Sequence, residues 1–424
     1  MSRAGNHGNG QGPKVVIVGA GIVGICAALQ LQRAGARVEV LDRQAPGEGA
    51  SYANAAIVTE SHVTPIAMPG VLADVPRMLL DRDSPLALRW SYLPRIAPWL
   101  ARFVWSARPG AVRRITEALG ALMDGSMNSF ESVLREADSP ELLRRTGSLL
   151  IYETKRAYRR DSRVRSLEQH VGRDFEVYPA SALPQVEPAL GSADGLYAGV
   201  YYPRAGYVTD NYHVVQVLAR SFRRYGGRIL REGVTGFAFD GNHVSGVRTD
   251  RGTHACDHVV VAAGAWSRSL ARDLGCNPPL DTERGYSLTL PDAGVQPRMP
   301  IFSGEHGMAC TPQDRGLRLA GTDELGGLDL PPDWRRADIL FSNAQRWFPD
   351  LAGDPAGHWM GFRPSMPDSL PVISRTPRHP NAVLAFGHGH CGLMLGPRTG
   401  ELVRDIVFDR PPVVDPTPYR VDRF

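Results

Sequence analysis

Apolar residues follow three rhythms along this chain, and each predicts a different element. The β-branched run at residues 15–18, the valines at 259–261 within the stretch 257–263, and the apolar run at 382–386 read as strands buried on both faces of a parallel sheet. Strict alternation at 285–290, 308–311 and 317–323, bounded by Gly, Pro and Asp, reads instead as antiparallel strands of a sheet that is exposed on one face or roofs a cavity. A helical period appears over 85–137, where Leu119, Met123 and Met127 share a face, and again over 209–224 and 397–408. Further strands are predicted at 147–152, 199–202 and 227–234, with a hairpin over 234–249 turning at Asp240, Gly241 and Asn242.

The first run leads into Gly19-Ala20-Gly21-Ile22-Val23-Gly24, then an apolar helix, then a second strand ending on Asp42 and Arg43. A strand, glycine turn, helix and strand closing on a carboxylate is the arrangement that holds a dinucleotide. Gly19 permits the tight turn, Gly21 brings the backbone close to the phosphates, Gly24 lets helix and strand pack, and the helix start supplies N–H donors. Asp42 is placed to accept from a ribose hydroxyl. A regular alternation of strand and helix does not continue after this unit. A loop of small and polar residues at 49–56 follows, suited to lie against a flat ring or a phosphate, and the helical stretch 85–137 reads as an insertion that belongs to another domain.

Length and composition narrow the class. A chain of 424 residues with 43% hydrophobic content supports two packed domains. Residues 1–13 are polar and glycine-rich and read as a flexible tail. No signal peptide or membrane span is visible, so a cytoplasmic location is expected. The 48 basic and 44 acidic residues balance too closely to point to nucleic acid. Five cysteines without paired spacing read as reduced thiols, with no zinc site or disulfide framework.

Taken in order, the segments VVIVGAGIVG, SYANAA, RGYSLTL, VVVAAGAWS, GFRPSMPDSLPVIS and GHGHCG resemble the D-amino acid oxidase superfamily of FAD enzymes, most closely the bacterial D-amino acid dehydrogenases. The resemblance implies an α/β fold with a Rossmann-like FAD-binding domain and a mixed, largely antiparallel substrate domain. The FAD domain would be assembled from 14–56, 205–270 and 355–410, the substrate domain from 57–204 and 271–354, with 411–424 as a C-terminal tail. It assigns Gly19, Ala20, Gly21, Ile22, Val23 and Gly24 to the pyrophosphate and Asp42 to the adenosine ribose. Arg43, Ser51, Asn54 and Ala55 would line the pyrophosphate and ribityl path. Val234 would meet the adenine, and Ala263 and Gly264 would cover the adenosine. Gly387, His388, Gly389, Gly392, Leu393 and Met394 would face the flavin ring. Some relatives attach FAD through a cysteine near 361–368; this chain has none there, so non-covalent FAD is expected.

Among the chemistry-bearing residues, the resemblance implies that Arg363, in its Arg-Pro segment, binds the substrate carboxylate, a task that suits a planar guanidinium able to make two hydrogen bonds; the alternative is a surface arginine preceding a turn. Tyr286 is a candidate to add a hydroxyl to the same carboxylate or simply to pack in its strand. His388 is a candidate flavin contact and proton acceptor, or a hydrogen-bonded turn histidine. Three functions follow. The first is oxidation of a D-amino acid, cyclic ones such as D-proline or D-hydroxyproline included, to an imine that hydrolyses to a 2-oxo acid or cyclises, with electrons passed to a quinone or other carrier. The second is a glycine- or sarcosine-type amine oxidase that uses oxygen, and the third a dinucleotide-binding module without catalysis. The aromatic and basic stretch from Arg89 to Trp105, extended by Arg113 and Arg114, reads either as helices packed on the substrate domain with arginines outward or as a peripheral seat on an anionic membrane surface.

Overall fold

The computed structural model describes residues 12–69, 84–192 and 194–424. Most of the tail expected over 1–13 lies outside these residues. The unbroken apolar runs form the centre of a six-stranded sheet ordered Arg228–Arg231, Arg37–Asp42, Lys14–Val18, His258–Val261, Ala382–Phe386 and Val372–Arg375. All but the last are parallel to their neighbours, and Val15, Val16 and Ile17 are fully buried, as strands covered on both faces must be. Helices Ile22–Arg33, Asn211–Arg224 and Gly392–Val407 pack on one face. Helix Ser267–Asp273 and the hairpin Val234–Asp240 with His243–Thr249 cover the other.

The alternating segments form a second, larger sheet. Its order runs His358–Ser365, Asp281–Leu290, Gly316–Leu325, Met308–Gln313, Ile301–Ser303, Ser148–Tyr152, Ala198–Tyr202 and Glu176–Pro179, and Leu86–Leu88 pairs with Gly316–Leu325. Successive side chains point to opposite faces. Leu149, Leu288, Ile301, Cys310 and Leu319 go to an outer core against helix Arg335–Ala344. Their neighbours of opposite parity, Gly285, Ala309, Ala320, Leu150 and Phe302, turn toward the six-stranded sheet and border a cavity between the two sheets. Helices Leu93–Ser106, Pro109–Met123 and Ser126–Glu136 fill the helical stretch; Leu119 and Met123 share a buried face of the second, but the chain turns at Gly125, where φ is +74°, so Met127 reaches the same core from the next helix and not from the one face its spacing predicts.

Two segments differ from the expected organisation. Strand His358–Ser365 lies within 355–410 but pairs in the larger sheet along Asp281–Leu290. The C-terminal residues do not trail: Tyr419 is buried and donates to Ala118 O at 2.7 Å, Val421 N donates to Ser374 Oγ at 3.0 Å, and Arg423 pairs with Asp368 at 2.8 Å. A buried aromatic and a partly buried ion pair anchor this end.

The glycine turn is a steric device. Gly19 has φ of +113°, and a Cβ there would meet Ala262 O at 2.3 Å; a Cβ on Gly24 would meet Gly19 O at 1.9 Å. Helix Ile22–Arg33 therefore starts in contact with the strands only if position 24 carries no side chain. Gly24→Ala is expected to destabilise the fold by about 1–3 kcal/mol or more through overpacking. Thermal unfolding checks this, with Gly49→Ala, whose Cβ meets nothing within 4 Å, as the control that leaves the midpoint unchanged.

Candidate active site

The cavity between the sheets has a volume of about 750 Å³. It runs from the glycine turn to the small-residue face of the larger sheet. Of the residues singled out from the sequence, Gly19, Gly21, Ile22, Val23, Asp42 and Arg43 border it at the turn, and Ser51, Asn54 and Ala55 on the following loop. Val234, Ala263 and Gly264 border it from the crossing strands, and His388, Gly389, Gly392, Leu393 and Met394 from the start of the C-terminal helix. Arg363 and Tyr286 border it from the larger sheet. Ala20, Gly24 and Gly387 stand behind its wall: Ala20 N donates to Asp42 Oδ2 at 2.7 Å, Gly24 packs on Gly19, and Gly387 sits against Met366.

At the turn, Asp42 accepts from Ala20 N and, at 2.9 Å, from Gln44 N, so it braces the loop while each carboxylate oxygen keeps further acceptor capacity. Ser51 Oγ accepts from Ile22 N at 3.1 Å and caps the helix from 29 residues away. Loop 50–56 is suspended between the sheets: Ser287 Oγ donates to Ala53 O and Thr311 Oγ1 to Ala55 O, both at 2.8 Å, and Asn54 Oδ1 accepts from Ala56 N at 2.9 Å. Arg43 lies over the Trp266 ring at 4.3 Å, a stacked wall that the sequence reading missed. Positions 43 and 266 are too far apart for any local pattern in the sequence to join them.

At the other end, strand Gly316–Leu325 bulges. Arg284 pairs with Glu324 but Tyr286 with Gly321, and Thr322 takes φ of +53°. The bulge brings Asp323 against Arg363 Nη1, which also donates to Thr322 O at 3.0 Å. His390 Nε2 lies 3.3 Å from Asp323 Oδ1, and Glu283, whose Oε2 accepts from Ser365 Oγ at 2.9 Å, stands 4.0 Å from His390 Nδ1. Burial raises Asp323, but Arg363 and His390 beside it prevail and bring its carboxyl down to about 2. Burial pushes Glu283 up, and His390 opposes it.

Two candidate side chains stand differently from the catalytic roles considered for them. Tyr286 points to the opposite face from Gly285 and Arg363, because strand parity sends it into the outer core; its hydroxyl donates to Glu324 and accepts from Asp333 N at 2.9 Å. It is spoken for by structure and cannot also present its hydroxyl to a group at Arg363. The His388 imidazole is buried against Thr399 Oγ1 at 2.9 Å, and burial pushes it down to about 4. His390, two residues on, is the histidine that meets the acidic pair. His62, which no motif marks, also borders the cavity, edge-on to Phe302 at 4.6 Å, and is pushed down to about 4 by burial and by His390.

A six-stranded parallel-centred sheet with a glycine turn, joined to an antiparallel sheet that shows small side chains to a shared cavity, defines a dinucleotide-dependent oxidoreductase. The profile of the DAO family, FAD dependent oxidoreductase, matches residues 14–406, and the chain belongs to that family. It is 37% identical over 421 residues to a D-amino-acid oxidase of Bradyrhizobium diazoefficiens, covering 98% of this chain and 99% of that one. It is 33% identical over 427 residues to D-amino acid dehydrogenase 2 of Ralstonia nicotianae, covering 97% and 100%. Among solved structures, glycine oxidase from Geobacillus kaustophilus shares the fold with a TM-score of 0.74 at 21% identity, covering 97% of this chain and 99% of that one. The cavity fits FAD on its own terms: its turn has no room for side chains at 19 and 24, and small residues face it from the larger sheet.

Two cavity histidines, the buried His388 and the partly buried His62, set a pH dependence. Their folded-state values lie near 4, below the 6.5 of an exposed imidazole, so the unfolded chain binds protons that the native chain refuses. Stability is therefore fully present above pH 6.5 and is lost as pH falls toward 4. Thermal midpoints measured between pH 7 and 5 are expected to fall, and the decline is expected to be shallower in His388→Gln, which keeps a partner for Thr399.

Proposed function

We propose that this protein oxidises D-amino acids, with Arg363 as the anchor for the substrate carboxylate. The observation that carries the reading is Arg363 itself: a half-buried guanidinium at the cavity wall, aligned by Asp323 and by the carbonyls of Gly321 and Thr322. Five N–H donors exceed these contacts, which leaves capacity for a carboxylate. The D-amino-acid oxidase and dehydrogenase names of the relatives support the same substrate class.

Bound FAD supplies the acceptor for the hydride from the substrate Cα. The chain does the rest. Gly19, Gly21 and the helix start hold the pyrophosphate, Asp42 the adenosine ribose, and Ser51, Asn54 and Ala55 the ribityl path. Arg363 fixes one end of the substrate, so that rotation about the remaining bonds is all that separates it from a reactive orientation. His390, paired with Asp323 and partly exposed, is positioned to take a proton from the substrate ammonium, whose lone pair must be free for the imine to form. The imine then hydrolyses to a 2-oxo acid, or remains cyclic where the substrate is D-proline-like.

Anaerobic mixing with D-amino acids, glycine and sarcosine tests this: loss of the oxidised flavin absorbance with a D-amino acid is expected. Arg363→Lys should raise KM by about tenfold to a hundredfold, the cost of a charge-assisted pair, and leave FAD content unchanged. Unaltered kinetics in that variant would remove the carboxylate assignment. Recovery that is slow in air and fast with a quinone distinguishes a dehydrogenase from an oxidase.

A quinone acceptor is supported by one surface. Helix Leu93–Ser106 buries Ile96 and Trp99, while Trp90, Val104 and Trp105 stand exposed among Arg95, Arg102, Arg108, Arg113 and Arg114, also exposed. Aromatic side chains interleaved with arginines suit the interface of an anionic bilayer. No helix among the described residues is long and apolar enough to cross a membrane. Cosedimentation with vesicles containing anionic lipid is expected at low salt and is expected to fall in a Trp90→Ser, Trp105→Ser double variant. Equal binding by both proteins would remove this surface from consideration.

A further inference from the structure

Arg318 is a buried cation without an anion. The residue is 8% exposed, Nε has no hydrogen-bond partner, and among the described residues no carboxylate lies within ion-pair distance of it. Its one hydrogen bond runs from Nη1 to Ser287 Oγ at 3.5 Å. Asp210, the acidic group that most favours its charge, is committed to Arg315 at 2.8 Å and to capping a helix through His213 N. Burial lowers the guanidinium to about 10, so it remains charged at neutral pH. A desolvated, uncompensated charge is costly to a fold, by several kcal/mol in typical cases, and calls for a use.

Its direction supplies one. Arg318 has the same strand parity as Ala320, which borders the cavity, and stands about 7 Å from it along the strand. The residue directly opposite Arg318 is Thr289, yet the guanidinium reaches Ser287, the residue opposite Ala320. The side chain thus leans along the strand toward the cavity. Ser287 in turn holds Ala53 O, and Ala53 is part of the cavity wall. The cation therefore sits on the same face as Ala320, just beyond the cavity and joined to its wall at Ala53 through Ser287.

We propose that Arg318 is the electrostatic partner of the flavin, a positioning residue that favours the negatively charged, two-electron-reduced ring. The inference rests on FAD occupying this cavity and is independent of which amino acid is oxidised. A hydride added to the neutral oxidised ring brings its negative charge with it, so the two-electron-reduced ring is an anion unless it takes up a proton from solvent. A cation fixed in a low-dielectric wall stabilises that charge with no reorganisation at the moment it forms. The missing counter-ion of Arg318 is then supplied by the reaction itself.

The test uses the FAD-loaded protein and two readouts that need no substrate: the midpoint potential of the flavin, and the affinity for sulfite, which forms an anionic adduct with the ring. Arg318→Met, similar in length and uncharged, is expected to weaken sulfite binding at least tenfold and to lower the two-electron potential by about 30 mV for each tenfold. Arg318→Lys is expected to retain most of both. A methionine variant with wild-type potential and sulfite affinity overturns the proposal. Removing a desolvated charge should leave the apoprotein at least as stable, so a methionine apoprotein that unfolds more readily than wild type assigns Arg318 a structural role and overturns it equally. Should no D-amino acid reduce the flavin, the substrate reading fails while both of these measurements still decide the case of Arg318.

Discussion

The two-residue period of the larger sheet is the constraint on which the site depends. One face must be greasy to bury helix Arg335–Ala344, and the same alternation forces every second residue toward the cofactor cavity. Filling those inward positions with Gly285, Gly361, Ala309 and Ala320 leaves room for a flat ring, and filling the outward ones with Leu288, Leu319, Ile301 and Cys310 holds the room open. A slip of one residue would exchange the two sets, closing the cavity with leucines. Where the strict period breaks, at Thr322 and Asp323, the broken register is what brings an acid to Arg363. A β-branched residue at positive φ is a strained choice, and strain of this kind collects at functional positions.

Charge in the cavity is arranged with the same economy. Arg363 is held by Asp323, His390 joins that pair, and Glu283 stands behind it with its proton favoured by burial. His62 and His388 are kept neutral by the protein around them. The turn end relies mainly on backbone N–H groups and on the Asp42 brace, which suits phosphates and hydroxyls better than mobile side chains would. The two ends of the cavity therefore differ in their physics, dipoles at one and ionised groups at the other.

The elements that read clearly in sequence are those whose reason is local. Val15 to Val18, the glycine turn and the hairpin at Asp240 to Asn242 each carry their cause within a few residues, and the alternation at 285–290 already separates Tyr286 from Gly285. What did not read is whatever depends on pairing at a distance. The partner of the Tyr286 hydroxyl is Glu324, set by strand register; the stack of Arg43 on Trp266 joins residues more than two hundred apart; and the lack of an ion-pair partner for Arg318 among the described residues depends on what the folded chain places around it. His388 and His390 are equivalent by motif and both border the cavity; they differ because the helix that follows puts Thr399 beside the first, while the second meets Asp323.

The order of strands in the six-stranded sheet has a consequence for how the molecule is made. Lys14–Val18 is flanked by Arg37–Asp42, which is synthesised almost at once, and by His258–Val261, which in turn awaits Ala382–Phe386. The glycine turn is thus made more than two hundred residues before the strand His258–Val261 that completes its surroundings. Loop closure over such separations is slow, and until it is complete one long edge of an apolar strand stays uncovered. The cleft between the sheets closes only when Ala382–Phe386 and the turn after it, more than three hundred residues further along the chain than Gly24, have joined the sheet.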